Sequence, residues 1–586
     1  MADDVGIVGS PSTTAKITVD ILEDATNAPL HGDLVYLTHP LNDRCLIAIG
    51  TVTDITTMNR WHEDPNMRGV LKRHGSLPHL SGVGDVRTAE VLVQAAYLAD
   101  NADPAQGEAP IEAAAALTMS PTTGAAVARV TDPFLDQLLR RHHNEITYLG
   151  HIYRTEVRLP LTLRHFGRGD GGAGEAYHSG IFGVTGSGKS AFAAYLLAGQ
   201  MRHRNLGVLV IDPQGQFTSE IGLPFPLQEW AERLGRQVRT YSISQNLRLR
   251  QDAPLLADLL GLTRFFRDLL TIRAEDPRDS AVAELTRILR GIANWDDLPA
   301  EQVLRQMVTA LAGDAQALQR IYVSPGPRAR LTTVLNTLLT DQATFDMTLE
   351  VFAPIHSLFT ARSLSGRART SIWQVLQEAV SPGDAARPFV VLDFSSENVA
   401  EGLLESTAVK ARILRVVCTD LNVIAEKAYR GRDSLNVLVV FDEAQRFAAE
   451  EPEEEQAQLL SDRLVDYVRT TRKYGLGWMF ITQETGSLRR GIYNQLRVRA
   501  FGYGLTSGTE LNRLRETIGD PAALELYRSF VDPAAITPAQ YPFMLTGPVS
   551  PLSFTGAPVF LSVYTDFDRF LNDNRFLREG LAEPRH

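Results

Sequence analysis

The stretch Ile-Phe-Gly-Val-Thr-Gly-Ser-Gly-Lys-Ser, residues 181–190, decides the fold of this 586-residue chain. It matches the pattern G-x-x-x-x-G-K-[ST], in which consecutive backbone N–H groups turn inward around phosphate oxygens at the start of a helix. Residues 179–182 before it predict a short buried strand, and residues 191–203 after it predict a helix with an apolar face. Strand, loop and helix together predict a phosphate-binding loop. The residues expected to contact nucleotide are Gly183, Thr185, Gly186, Ser187, Gly188, Lys189 and Ser190.

A pair of acidic residues far downstream predicts the second half of such a site. The apolar run 436–441 reads as a buried strand and ends in Asp442-Glu443. A carboxylate at the end of a buried strand can hold the coordination shell of a magnesium ion, and this is the role expected of Asp442. The hydroxyl of Ser190 would complete the coordination. Glu443 can orient and deprotonate the water that attacks a γ-phosphate, while Lys189 reaches the β- and γ-phosphates.

A third strand end and a preceding helix offer further candidates. Residues 477–482 predict a strand whose polar end, Gln483, can contact the γ-phosphate or its water. The helix predicted over residues 457–474 carries Arg469 and Arg472, either of which can neutralise transition-state charge in a neighbouring subunit. Arginines on a helix are also common as plain surface residues, and that alternative stays open here.

Asp212 has two equally good interpretations. It follows the apolar run 207–211 and therefore lies at the carboxyl end of a predicted strand, where α/β sheets bind their ligands. Asp212-Pro213-Gln214-Gly215 is also a turn sequence, in which an aspartate caps backbone N–H groups. We therefore treat Asp212 as a candidate nucleotide-site residue and as a candidate turn cap.

The rest of the chain predicts three regions. Residues 1–165 contain short strands separated by turn residues, which indicates a small β-barrel with long loops over 59–84 and 101–111. Residues 166–548 read as the ATP-binding motor, with a helical insertion over about 225–385, and residues 549–586 as a C-terminal extension that can pack on a neighbouring subunit. A glycine-rich run, 167–174, is predicted to be a flexible link. The predicted barrel strands are Val5–Val8, Lys16–Leu22, Asp33–Leu37, Cys45–Ile55 and Arg87–Leu98.

The composition of the chain limits the classes of partner and the cellular compartments that we expect. Net charge is −11, so binding to a polyanion needs local positive surfaces or a channel formed on assembly. One local basic stretch, residues 488–499, holds four arginines that can face such a channel. The two cysteines lack metal-ligand spacing, and no apolar run reaches the ~20 residues of a membrane span, so we expect a cytoplasmic protein without a membrane partner. Histidines in the barrel region are expected to be solvated loop residues.

Five blocks of sequence occur together in this chain: Gly6–Gly9, His178–Ser190, Val210–Gly215, Val440–Phe447 and Thr471–Gly477 leading to Thr482-Gln483. With these blocks the chain resembles the HerA family of the FtsK–HerA branch of ATPases. That resemblance implies an α/β fold with a RecA-like P-loop ATPase core, a parallel sheet and an N-terminal barrel, forming a homohexameric ring that uses ATP and Mg2+ and passes double-stranded DNA through its channel. It also implies that Gln483 senses the γ-phosphate and that Arg472 acts in trans.

Two functions remain open from the sequence. The first is an ATP-driven DNA translocase or helicase that serves a separate nuclease or NAD-degrading effector, as family members do in DNA-end resection or anti-phage systems, with the effector docking on the barrel face. The second is a hexameric scaffold in which ATP stabilises assembly and activates the partner. A GTPase is excluded because the chain contains no Asn-Lys-x-Asp motif for guanine.

Overall fold

The structure is a computed structural model. It describes residues 4–41, 44–100, 112–114, 117–363, 366–380, 386–395, 403–431 and 435–575.

Twenty strands lie within this described part of the chain. They are β1 (Asp4–Val8), β2 (Lys16–Ile21), β3 (Leu34–Leu41), β4 (Arg44–Asn59), β5 (Asp85–Ala99), β6 (Glu112–Ala114), β7 (Ala126–Arg129), β8 (Ile146–Ile152), β9 (Arg158–Thr162), β10 (His178–Phe182), β11 (Gly207–Asp212), β12 (Val238–Ser242), β13 (Leu247–Arg248), β14 (Thr370–Ser371), β15 (Phe389–Asp393), β16 (Val437–Phe441), β17 (Leu476–Thr482), β18 (Leu496–Gly502), β19 (Tyr541–Thr546) and β20 (Val559–Val563).

The α-helices of the same residues alternate with these strands in the motor and follow one another in the insertion. They are α1 (Arg60–Glu63), α2 (Pro65–His74), α3 (Asp132–Leu138), α4 (Lys189–Gln200), α5 (Gln216–Ser219), α6 (Leu227–Arg233), α7 (Ala253–Leu262), α8 (Glu275–Gly291), α9 (Ala300–Gly313), α10 (Ala315–Ile321), α11 (Pro325–Thr340), α12 (Gln342–Ser357), α13 (Ile372–Val380), α14 (Thr407–Arg430), α15 (Glu455–Thr471), α16 (Arg490–Tyr493), α17 (Gly508–Ile518), α18 (Pro521–Arg528) and α19 (Phe567–Asp573).

The N-terminal strands close into a six-stranded antiparallel barrel. Its sheet has the order β2-β1-β7-β3-β4-β5-β6. The pairing of β2 with β5 closes six of these strands into the barrel, and β6 pairs with β5 outside the closed ring. Alternate residues of each strand point inward, so that side chains such as Val19, Val35 and Val91 form a separate apolar core. The predicted barrel is confirmed, and all five predicted strands lie in it.

The segment predicted as a loop over residues 59–84 is partly helical, so that prediction was wrong. The Asn59 side chain accepts hydrogen bonds from two N–H groups of α1, and Asp64 caps α2, whose first residue is Pro65. These short helices bury none of their residues. Their caps mark both helices in the sequence, and in α2 the apolar residues Met67, Val70 and Leu71 also stand at helical spacing.

The motor is built on an eleven-stranded sheet. The strands β12-β15-β11-β16-β17-β10-β18 run parallel, and β19-β20-β8-β9 extend the sheet antiparallel. Helices cover both faces, which explains why β16 is apolar at every position: Val437 and Val439 pack towards the insertion helices, and Leu438 and Val440 towards α4. The predicted α/β fold with a parallel sheet is confirmed.

The sheet crosses the boundaries predicted from sequence. The strands β8 and β9 precede residue 165 but pair with the motor sheet, and β12 lies within the predicted insertion 225–385 yet forms the sheet's edge. The run 167–174 is tied to the motor, since the Asn436 side chain accepts a hydrogen bond from the N–H of Gly167. In the C-terminal part, α19 packs on its own chain, where Phe567 stacks on Phe225 with centroids 4.1 Å apart.

Among the described residues, no helix combines the length and the apolarity needed to cross a bilayer. Both cysteines, Cys45 and Cys418, are buried and unbonded to each other.

Candidate nucleotide site

Four strand ends bring the predicted site residues to one edge of the motor sheet. The parallel pairing of β10 with β17 aligns their last residues and places Gly183 beside Gln483. The pairing of β11 with β16, extended by a hydrogen bond from the N–H of Asp442 to the carbonyl of Ile211, places Asp212 beside Asp442. The two acidic strand ends and the phosphate loop therefore share the carboxyl edge, where parallel sheets bind ligands.

The glycines of residues 183–188 give the loop its shape. Gly186 and Gly188 have φ of 83° and 88°, which L side chains rarely adopt. A Cβ atom on Gly188 would also lie 2.5 Å from the ring of Tyr541. The loop ends where α4 begins at Lys189, so the unpaired N–H groups of the first helical turn point into the loop.

Lys189 lies over the loop that it follows. Its ammonium donates to the carbonyl oxygens of Gly183 and Val184, at 2.8 and 3.0 Å. Burial lowers the pKa of Lys189, while the nearby carboxylates of Glu443 and Asp442 act in the opposite direction. The ammonium is thus held in a desolvated position next to both carboxylates, where an anionic phosphate is a favourable partner.

Asp442 is a buried carboxylate with an unused oxygen. Its relative exposure is 3%, and its Oδ2 atom has no hydrogen-bond partner among the described residues. Burial raises the pKa of Asp442 to about 7, with the carboxylates of Asp212 and Glu443 adding to the effect. A buried carboxylate oxygen without a partner is costly, and a divalent cation would remove that cost. The residue therefore fits the metal role predicted for it.

Glu443 is fixed in an unusual backbone conformation. Its φ is 49°, in the left-handed region that non-glycine residues seldom occupy. The Gln445 side chain donates to its Oε2 atom, and the Nε atom of Arg446 lies 4.0 Å from the same oxygen. The carboxylate is thereby aimed by its neighbours beside Asp442, which is the arrangement a water-activating base requires.

The structure shows Asp212 as a turn cap. Its two carboxylate oxygens accept four hydrogen bonds, from the N–H groups of Gly215, Gln216 and Thr218 and from the Thr218 hydroxyl. This is the second of the two interpretations given for Asp212 from sequence. The turn presents Gln216, whose Nε2 atom donates to the hydroxyl of Ser190 at 2.8 Å. Sequence reasoning missed Gln216, although its position directly after the Asp-Pro-Gln-Gly turn is a usable signal.

Two polar residues of the loop have different surroundings. The Thr185 hydroxyl donates to Oε1 of Gln483 at 3.4 Å, which links the phosphate loop to the end of β17. Ser187 is fully buried, and its hydroxyl oxygen is without a partner in the described part of the chain.

Two cations near the site were not predicted. Lys410 on α14 donates to the carbonyl of Pro213 at 2.8 Å, and Arg446 stands next to Glu443. Burial lowers the pKa of Lys410, and the carboxylates of Asp393 and Asp212 partly offset this. Lys410 belongs to no recognisable motif, whereas Arg446 lies within the block Val440–Phe447, three residues after Glu443, which is a usable signal.

The two candidate arginines are not brought to this edge of their own chain. Arg469 and Arg472 are exposed, and the Nε atom of Arg472 lies 3.7 Å from a carboxylate oxygen of Glu175. Arg472 precedes β17 and Gln483 follows it, so the full length of a seven-residue strand, roughly 23 Å, lies between them. The arginines therefore stand at the amino edge of the sheet, opposite the phosphate loop.

The fold and this edge define a RecA-like P-loop ATPase: a parallel sheet, a phosphate loop that opens a helix, and acidic residues at the end of a neighbouring strand. Residues 176–354 match the family model described as Helicase HerA, central domain. Over these residues the chain is similar to that family, and the resemblance seen in its motifs is confirmed for this region.

Several solved structures are similar at low identity. VirB4 of Thermoanaerobacter pseudethanolicus is 16% identical, over 71% of this chain and 96% of that one, with a TM-score of 0.37. The bacterial conjugative coupling protein TrwBdeltaN70 is 13% identical, over 75% and 92%, with a TM-score of 0.38. The genome packaging NTPase B204 from Sulfolobus turreted icosahedral virus 2, in complex with AMPPCP, is 9% identical, over 66% and 98%, with a TM-score of 0.27. No curated protein sequence matches the chain.

Proposed function

We propose that this ATPase moves double-stranded DNA through a homohexameric ring, using ATP with Mg2+, and serves a separate nuclease or NAD-degrading effector. The observation that carries the proposal is the convergence of Lys189, Asp442, Glu443 and Gln483 at one sheet edge in a chain that contains a HerA central domain. This edge carries groups of the kind that ATP hydrolysis needs, and the HerA match supports a DNA-translocating ATPase.

In this proposal each site residue has one role. Lys189 and the loop N–H groups bind the phosphates, and Ser190 with Asp442 holds the magnesium ion, which supplies charge neutralisation when bound. Glu443 takes a proton from the attacking water, and Gln483 senses the γ-phosphate through the end of β17.

The ring supplies the arginine that the chain does not bring to its own site. Arg472 and Arg469 lie at the amino edge of the sheet, so a role in hydrolysis requires that they serve a neighbouring copy. We assign the trans role to Arg472, with Arg469, one helical turn earlier, as the alternative.

The DNA contact rests on local positive charge in an acidic protein. In the stretch 488–499, Arg489 forms an ion pair with Asp462, and Arg499 lies over the Tyr493 ring at 4.8 Å. Arg490 and Arg497 remain exposed. These two are the arginines of this stretch that a ring can turn towards phosphates on its axis.

The effector is proposed to dock on the barrel. Where β4 and β5 extend beyond the barrel, Met58 and Val86 lie opposite each other on the two strands. The relative exposure of these side chains is 49% and 54%, and that of Trp61 nearby is 49%. Large apolar side chains grouped on a surface mark protein interaction sites. This group supports a protein partner on the barrel face.

DNA-stimulated ATP hydrolysis tests the proposed function. Turnover is expected to fall by about 10²- to 10⁴-fold in Glu443→Gln, the range that a general base contributes, and to be lost in Lys189→Ala. The exposed Glu451→Gln is the matched control and should keep wild-type turnover. Strong DNA-stimulated turnover in either site variant would overturn the assignment. Effector activity that survives in Glu443→Gln would favour the scaffold function instead.

A further inference from the structure

A second pocket, remote from the nucleotide site, is lined by arginines. It lies between α14 and α15, beside the end of the segment that leads into α7, and has a volume of about 360 Å³. Four of its eight lining residues are Arg250, Arg412, Arg415 and Arg463, and none of the eight is acidic. The pocket lining is therefore positively charged, although the chain as a whole has a net charge of −11.

Two of the arginines are held in place by carboxylates outside the pocket lining. The Nε and Nη2 atoms of Arg412 each lie 2.8 Å from Oδ2 of Asp258. Arg250 lies 3.1 Å from Oδ1 of Asp420, whose side chain is almost completely buried. These ion pairs anchor the two guanidinium groups and fix the wall of the pocket.

The other two arginines, Arg415 and Arg463, are not held by close ion pairs in the described part of the chain. Arg415 is half-buried and follows Arg412 by three positions on α14, a spacing at which like charges repel. Burial lowers the pKa of Arg415, and the positive charges of Arg412 and Arg463 lower it further, while the carboxylates of Asp258 and Glu455 partly offset this. An anion in the pocket would relieve this repulsion.

Hydrogen bonds fix the two helices at the pocket. The Thr419 hydroxyl donates to the carbonyl of Arg415 at 2.6 Å and lies 2.9 Å from the hydroxyl of Tyr467 on α15. Tyr467 follows Arg463 by four positions and therefore lies on the same face of α15. The two helices that carry Arg415 and Arg463 are thus fixed relative to each other, which reduces the entropic cost of binding.

We propose that this arginine pocket binds a phosphate group, either free or in a nucleic-acid backbone. Planar guanidinium groups match the oxygens of phosphate and form charge-assisted hydrogen bonds with them. The free-phosphate case is independent of the function proposed above, whereas the nucleic-acid case rests on it.

Calorimetric titration with inorganic phosphate tests the site, with a non-hydrolysable ATP analogue present to occupy the phosphate loop. The double variant Arg415→Gln/Arg463→Gln is expected to bind phosphate about tenfold more weakly or worse, since hydrogen bonds to charged groups are lost. Arg430→Gln, at an exposed position on the same helix, is the matched control and should bind like the wild type. Arg463→Gln alone removes only an exposed side chain and replaces the double variant if that one does not fold.

Duplex-oligonucleotide affinity, measured over a range of salt concentrations in the same variants, separates the two sources of phosphate. If backbone phosphates enter the pocket, the slope of log affinity against log salt falls by about 1 to 2 in the double variant, close to one per phosphate. Weaker phosphate binding with an unchanged slope assigns the pocket to a free phosphate ligand. Equal phosphate affinity and equal slope in the double variant and Arg430→Gln would overturn the proposal, and failure of the ATP analogue to bind would count against the nucleotide site alone.

Discussion

At the scale of single residues, the nucleotide site contains buried charged groups that a bound ligand would pair. Within the residues that the structure describes, Asp442 keeps one buried oxygen unpaired, and the ammonium of Lys189 donates to carbonyl oxygens of its own loop. Such groups are costly in a folded chain unless a ligand completes them. Their cost is evidence for the ligand, because the same residues would be neutral or apolar if the edge served packing alone.

Gln216 is the residue that links the turn at Asp212 to the proposed magnesium ligand Ser190. Loss of its hydrogen bond to the Ser190 hydroxyl, in Gln216→Ala, is expected to raise the Mg2+ concentration for half-maximal ATP hydrolysis by about 10- to 100-fold, as for other residues that support metal ligands. The control is Gln214→Ala, an exposed glutamine in the same turn. An unchanged Mg2+ requirement in Gln216→Ala would show that Ser190 is positioned without it.

At the scale of elements, the beginning of β10 is held by a buried histidine. The Nδ1 atom of His178 accepts from the N–H of Trp478 at 3.1 Å, and Nε2 lies 2.8 Å from the carbonyl of Val468, so only the neutral imidazole satisfies both bonds. Burial lowers the pKa of His178 to about 4, and Arg472 contributes to the lowering. Through this residue, β10 is joined to β17 and to α15.

This histidine predicts a loss of stability in mild acid. Below the ordinary histidine pKa of about 6.5, this histidine is protonated in the unfolded chain but stays neutral in the folded chain. The free energy of unfolding therefore falls as pH drops from 6.5 to 4, by about 3 kcal/mol at pH 4. Denaturant unfolding of His178→Gln should show a shallower fall over this range than the wild type. The exposed His143→Gln should retain the full fall, and identical curves for the two variants would refute the assignment.

The elements that could be predicted from the sequence are those whose patterns lie within a short stretch of the chain. The phosphate loop, the apolar β16 with Asp442-Glu443 behind it, and the alternating barrel strands each carry a pattern within about ten residues. Pairing partners are not local, so the assignment of β8 and β9 to the motor sheet was missed. The cation Lys410 was missed for the same reason, since the fold brings α14 to the site, whereas Arg446 lies three residues after Glu443 and is close to the site in sequence.

At the scale of the whole molecule, one continuous sheet joins the barrel side of the chain to the motor. The strands β8 and β9, which follow the barrel in sequence, extend the same sheet that carries the phosphate loop at β10. Tyr97 of the barrel also donates a hydrogen bond to the carbonyl of Pro551, at 2.5 Å, on the segment between β19 and β20. The barrel, where the effector is proposed to dock, is thus directly bonded to the motor.

Mixed rings test whether Arg472 acts in trans. Arg472→Ala and Lys189→Ala subunits should each be inactive alone, but a 1:1 mixture should recover activity, because about a quarter of the interfaces then join an intact loop to an intact arginine in a closed ring. The control mixture, Lys189→Ala with Glu443→Gln, places both defects in the same site and should recover nothing. No recovery in the first mixture, once subunit exchange is verified, would mean that Arg472 is not supplied by a neighbour.

The central claim is that ATP hydrolysis at this site moves the protein along duplex DNA. The most direct measurement is displacement of a third strand from a triplex, placed on a linear duplex away from the loading region. We predict that the wild-type chain releases the third strand only with hydrolysable ATP, and that Glu443→Gln binds the duplex without releasing it. DNA-stimulated ATP hydrolysis by the wild-type chain with no release of the third strand would contradict the claim.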